Sequence, residues 1–233
     1  MADLVTYTKE QSTAVLRMDD GKANALSTEM IKALVDALAR AEAEASAVVL
    51  VGRPGKFNAG FDLRVMMSGP EQATALLRDG AALLMRLYGS PLPVIHACTG
   101  HALAGGALVL LTGDVRVGVE GAFRIGLNEV AIGMPVPVLA MELARDRLAT
   151  SELARATLQA TVYDPRGAAS AGYLDEVVAD EAALLPRALE HATRLSALSR
   201  AAYQATKARL RGRTIEHITS TLEADVQSLL PKG

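Results

Sequence analysis

The chain has 233 residues, half of them hydrophobic, with 3% aromatics, no Trp and a net charge of −2. That length suits one large core filled by Ala, Leu and Val. Near-neutral charge gives no support to a nucleic-acid partner or a polybasic membrane surface, and the lone Cys98 excludes an internal disulfide.

Residues 3–9 and 12–18 alternate polar and apolar and predict a strand pair turning at Gln11 and Ser12. A polar loop follows. Ser27 is a helix N-cap for residues 28–45, whose apolar positions recur every three to four residues. AVVLVG is a short, continuously apolar strand of the buried parallel kind, and GRPGKFNAGFDL is a glycine-punctuated loop. Pro70 opens a second amphipathic helix running to about Leu87.

PVIHACTG is another buried strand, with Cys98 an inert buried thiol and His96 embedded in the strand. HALAGGALVLLTG is a loop entering an apolar helix, in which His101 packs the loop. DVRVGVEG and FRIG read as strand pieces. Beyond Pro137 the chain is mostly helical, apart from a short strand in YLDEVVAD; residues 200–212 and 214–230 read as two separate helices. Strands alternating with helices, then a helical last third, predict an α/β fold. We expect a core unit over 1–195 and a helical region over 196–233.

No apolar run reaches membrane length and no secretory or peroxisomal signal is evident, so a cytoplasmic location is expected. No His, Cys or acid pair has metal-ligand spacing, so no metal site is expected.

Three segments carry the chemistry. Gly105-Gly106 follows a strand and opens a helix, where backbone N–H groups lack internal acceptors and the helix dipole favours negative charge. Such donors suit an oxyanion hole; a bare strand–helix turn is the alternative. GKFNAGFDL leaves backbone uncovered, so Phe61 offers a second N–H, although an ordinary surface loop fits too. Glu129 stands among Leu127, Val130 and Ile132. A carboxylate in an apolar wall has its pKa raised toward neutrality and carries protons well; an exposed turn residue is the other reading. Asp62 orients its own loop, Asp114 is structural, and Lys207, Arg209 and Arg211 face water.

In this order and spacing, GKFNAGFDL, PVIHACTGHALAGGALVLLTGD, FRIGLNEVAIG and the late AASAG before YLDEVV resemble the crotonase superfamily of enoyl-CoA hydratases and isomerases, over essentially the whole chain. The resemblance implies a crotonase-like spiral of repeated ββα units with a helical C-terminal region. It implies an acyl-CoA thioester as substrate rather than a separate cofactor, and a homotrimer or a hexamer of paired trimers. It makes the Phe61 and Gly105 amides the oxyanion donors and Glu129 the acid/base. Lys22, Lys56, Ala59, Asp62, Leu63, Leu108 and Pro135 become substrate- or CoA-binding positions, with Arg64 also near the CoA loops.

The family's hydratases carry a second glutamate three residues after the glycine pair, a place occupied here by Leu108. Hydration needs a water held at the β-carbon; a 1,3-proton shift needs one base and no water. AGGALVLLTGDVR and IGLNE are most similar to the mitochondrial-type Δ3,Δ2-enoyl-CoA isomerase branch, so isomerisation is the expected reaction. A weak or repurposed hydratase and a non-catalytic acyl-CoA-binding protein are the alternatives.

Overall fold

Strands β3 (Ala47–Val51), β5 (Val94–Cys98) and β7 (Val115–Val119) are followed, after short connections, by β4 (Gly55–Asn58), β6 (Gly100–Leu103) and β8 (Ile125–Gly126). The first of each pair joins one sheet and the second joins another. A helix closes each turn: α2 (Leu63–Met66) with α3 (Pro70–Tyr88), then α4 (Gly105–Thr112), then a single 3-10 turn (Val130–Ile132) leading to α5 (Val138–Arg147). The chain is therefore a spiral of ββα turns. The computed structural model describes residues 3–229.

The larger sheet has the order β1-β2-β3-β5-β7-β9, with β1 (Val5–Glu10) antiparallel to β2 (Thr13–Met18) and β9 (Glu176–Val178) at the far edge. Its other neighbours are parallel. Parallel strands covered on both faces read as unbroken apolar runs, and alternation still divides them. Val49, Val51, Ile95, Ala97 and Val117 face α8 (Glu181–Ser196) through Leu184, Ala188 and Ala192. Val48, Leu50, Val94 and Cys98 face the main core under α1 (Thr28–Glu44), α3 and α4. The smaller sheet, β4-β6-β8, is parallel and carries the loops of interest at its ends.

Local signals placed most boundaries. Ser27 Oγ accepts from the Met30 amide and starts α1. After the short α6 (Leu153–Thr157), Asp164, Pro165 and Gly172 cap and terminate α7 (Pro165–Ala171), with Gly172 at φ +95°. Two expected loops each contain a strand: residues 55–58 form β4 and residues 100–103 form β6. Glycine-rich composition hid them, and their pairing is non-local. Gly100 is required where it stands, because a Cβ there would strike the Gly55 backbone of the neighbouring strand.

The tail departs further from expectation. Residues 200–229 form one 30-residue helix, α9, rather than two. Gly212 does not break it; an isolated helical Gly costs only about 1 kcal/mol, and α9 is held by packing on α3 and α5. Lys207 and Arg211 do not face water as expected. Asp114 bonds Lys207 Nζ at 2.6 Å and Arg211 Nη1 at 2.9 Å, and it also accepts from the Val94 amide. Arg211 further donates to Tyr88 O and Thr112 O, satisfying carbonyls at the ends of α3 and α4. Among the described residues no helix is long and apolar enough to cross a membrane. The extreme C-terminal residues, including the tripeptide considered as a targeting address, lie outside the described residues.

Candidate active site

Gly60 and Phe61 end the β4 loop; Ala104 and Gly105 end β6. The two segments press together: a Cβ on Gly60 would lie 3.0 Å from the Gly105 nitrogen, and one on Gly106 would overlap the Asn58 carbonyl. Only glycine allows this approach. The Phe61 ring fills the space over Gly80 and lies against Gly105.

Backbone pairing sets the direction of the Phe61 amide. Leu26 donates to Gly60 O and accepts from the Asp62 amide, so Phe61 between them turns its own N–H away from Leu26. At the facing segment Ala104 holds φ +48° and ψ −121°, a strained conformation for a residue with a side chain and a feature that clusters at functional sites, costing about 1–3 kcal/mol. It reorients the peptide that carries the Gly105 N–H. Gly105 is the first residue of α4, where no intrahelical acceptor exists. Among the described residues neither the Phe61 nor the Gly105 amide has an acceptor.

Both residues line one cavity of about 270 Å³, together with Ala59, Leu63, Met66, Leu108, Asn128 and Glu129. Its walls are overwhelmingly apolar. Glu129 begins the 3-10 turn that Gly133 closes at φ +80°. The residue is 5% exposed and its Oε2 has no hydrogen-bond partner among the described residues. Burial raises its pKa above the ordinary glutamate value. Beneath it the buried Tyr173 hydroxyl accepts from the Leu127 amide and fixes the strand end that delivers Glu129. Leu108, 3% exposed on α4, presents hydrocarbon to the same cavity.

The other expected positions divide. Ala59 and Leu63 line the cavity mouth. Lys22 and Lys56 are exposed and lie outside the cavity, in surface grooves that meet at Ala59: Lys22 with Asp20 and Arg64 in one, Lys56 with His101 and Arg124 in the other. Asp62 does not turn its carboxylate to chemistry. It caps α2 through the Arg64 amide and pairs the Arg64 guanidinium, whose hydrogen bond holds its pKa low. Pro135 is exposed and does not line the cavity, whereas Pro137 does; the tight turn after Glu129 swings the first of the two outward. His101 packs locally, edge-on to Phe123 and accepting from the Arg124 amide. His96 is buried and neutral, its pKa pushed down to about 3 by burial. The Cys98 thiol is pushed up to about 12.

Sequence reasoning missed the groups that hold these parts. Asn58 Oδ1 accepts from the Gly60 amide while its Nδ2 donates to Asn24 O, bracing the Phe61 loop from inside. Asn24, at φ +55°, donates to Met18 O and Phe57 O. The signal was present, since Asn tolerates left-handed backbone and bonds nearby main chain. Asn128, whose Oδ1 is buried without a partner, also escaped notice.

A sequence model described as Enoyl-CoA hydratase/isomerase matches residues 8–230. The chain belongs to this family. Within the enoyl-CoA hydratase/isomerase family it is 32% identical over 222 residues to the human mitochondrial enoyl-CoA delta isomerase 1, covering 93% of this chain and 73% of that one. A solved family member from Pseudomonas syringae superposes with a TM-score of 0.95 at 42% identity, covering 98% and 99% of the two chains. An apo enoyl-CoA isomerase of Mycobacterium tuberculosis superposes at 0.92 with 38% identity, covering 99% and 100%. A Bacillus subtilis relative, 31% identical over 56% of this chain and 52% of its own, is named a probable enoyl-CoA hydratase. The expected α/β crotonase-like fold of this family is thus the fold observed, and enoyl-CoA enzymes are its relatives.

Proposed function

We propose that this protein is a Δ3,Δ2-enoyl-CoA isomerase with Glu129 as its one proton carrier. The observation that carries the reading is a single buried carboxylate, with an unpartnered oxygen, sharing an apolar cavity with Leu108 and the free Phe61 and Gly105 amides. In the reaction the Glu129 carboxylate removes a proton from C2 of a 3-enoyl thioester. The electron pair moves onto the thioester oxygen, where the Phe61 and Gly105 N–H groups stabilise the enolate. The C3–C4 double bond shifts to C2–C3 as Glu129, now the acid, returns the proton to C4. No water enters the balance, and the hydrocarbon wall disfavours one. The thioester is the substrate; no separate cofactor is proposed. Of the grooves on either side of Ala59, the one with Lys56 and Arg124 holds no acid and suits the phosphates of CoA, while Lys22 and Arg64 share the other with Asp20, Glu29 and Asp62.

A hydratase is the second reading, favoured by the unpartnered Asn128 Oδ1 in the same cavity, a group able to hold a water. Assays with 3-enoyl- and 2-enoyl-CoA separate the two. We expect conjugated-thioester absorbance to grow from the 3-enoyl substrate and to persist with the 2-enoyl one; faster loss from the 2-enoyl substrate would instead establish hydration. Leu108→Glu, which supplies the second carboxylate, is expected to raise hydration at least tenfold over wild type, less than the roughly hundred- to ten-thousand-fold of a fully positioned acid/base group.

The same reading includes a cytoplasmic homotrimer or hexamer. Exposed Val130, Ile132 and Leu158, at 44%, 54% and 72% accessibility, are apolar surface for a second copy. Sedimentation at micromolar concentration should give a trimer or a multiple of it, and a monomer there would rule the assembly out.

A further inference from the structure

Behind the catalytic cavity lies a narrower pocket of about 40 Å³, between α3, α4, α5 and α9. The two share Phe61, Leu77, Leu108, Pro137 and Leu229 as walls, so the inner pocket continues the cavity. Its lining is hydrocarbon with one exception, the Asp225 carboxylate of α9.

Asp225 has a structural partner. The sequence before α5, Met134-Pro135-Val136-Pro137, contains no capping side chain, and α5 has no N-cap side-chain bond of its own. Asp225 Oδ2 supplies one from across the fold, accepting from the Val138 amide at 2.7 Å. That bond explains why an acid is tolerated there. It engages Oδ2, the following Leu139 amide also favours the charged form, and the charge stays on the pocket wall.

We propose that Asp225 sets an upper length for unsubstituted acyl chains: a chain that ends before it gains from each buried methylene, while one that reaches it must strip water from a carboxylate and give it no hydrogen bond in return. The proposal rests on the acyl-CoA reading of the cavity and names the substrate class, thioesters of shorter chains. Each methylene buried short of Asp225 is worth about fourfold in affinity; contact with a dehydrated carboxylate reverses the trend.

Binding of saturated acyl-CoAs, which undergo no chemistry, tests this directly. Titration calorimetry from butanoyl- to dodecanoyl-CoA should show affinity rising with length, then falling. Asp225→Asn keeps an oxygen for the Val138 amide, since Asn caps helices as well as Asp, and removes the charge. It should leave short-chain affinity unchanged and raise that of chains beyond the turning point about tenfold. Asp225→Glu, which keeps the charge, should not. At the length where affinity falls, a terminal hydroxyl able to donate to the carboxylate should restore wild-type binding, whereas a purely steric limit would reject it. A series that rises throughout, an unchanged long-to-short ratio in Asp225→Asn, or no rescue by the hydroxyl would each overturn the proposal. If acyl-CoAs bind as described but 3-enoyl substrates are not converted, the isomerase reading fails and this one stands.

Discussion

Glu129→Gln should lower isomerisation turnover by roughly a hundred- to ten-thousand-fold, the range for loss of a positioned acid/base group, with little change in KM. The amide has the carboxylate's shape but neither takes nor returns a proton, and both halves of the proposed shift pass through this one side chain. The same variant should melt at a higher temperature than wild type at pH 7. Burial raises the folded-state pKa of Glu129 above its unfolded value, so the group favours the fold fully only below the unfolded pKa. That contribution is lost as pH rises through the folded value. At neutral pH the wild type holds a charge in an apolar wall, and Gln removes it. The melting difference should shrink as the pH falls below the ordinary glutamate range. Wild-type kcat/KM should lose its activity on the acid side with a midpoint above that range, because the carboxylate is the working form. Unchanged turnover in a folded variant would end the single-base mechanism, and a melting gap independent of pH would show that Glu129 is not ionised in the cavity.

Asp114→Ala should destabilise the protein by about 3–5 kcal/mol, the cost of stranding buried charges, which at this chain length lowers Tm by about 6–20 °C. Lys207 is 6% exposed and Arg211 3%, and both rest on this carboxylate. Burial already pushes the Lys207 pKa down to about 8 against Asp114's opposing pull. Without that pull it falls further, and the ammonium gives up its proton in the fold more readily than in the unfolded chain. The folded variant then sheds this proton at a lower pH than the folded wild type, so its deficit should shrink as pH rises to about 8 and stay constant above that. A loss under 1 kcal/mol, read by denaturant unfolding, would mean that the backbone bonds of Lys207 and Arg211 suffice without the carboxylate.

The contrast between these two sites shows which features the sequence discloses. Glu129, Phe61, Gly105 and Leu108 stand in short segments whose glycines and apolar runs are contiguous, so their proximity to strand and helix ends could be read locally. The β4 and β6 strands could not, because their evidence in the sequence is a few residues and their partners are far along the chain. Arg211 and Lys207 looked like surface charges because helical periodicity gives a face and does not say what covers it. Their partner is 93 residues from Lys207. Asp225 was invisible for the same reason: it caps a helix 87 residues away. Pro135, expected at the substrate or CoA, is exposed, and Pro137 lines the cavity instead, beyond the turn that left-handed Gly133 closes.

The attachment of α9 is uneven along its length. Lys207 and Arg211 clasp its first half to Asp114 and the ends of two core helices, while Leu222, Asp225, Val226 and Leu229 overlie the inner pocket. The ion-pair clasp and the pocket wall are thus spaced more than two helical turns apart on one rod. Substitutions at Leu222 and Leu229 should therefore reshape the inner pocket while the clasp at Lys207 and Arg211 and the Asp225 cap on α5 stay in place.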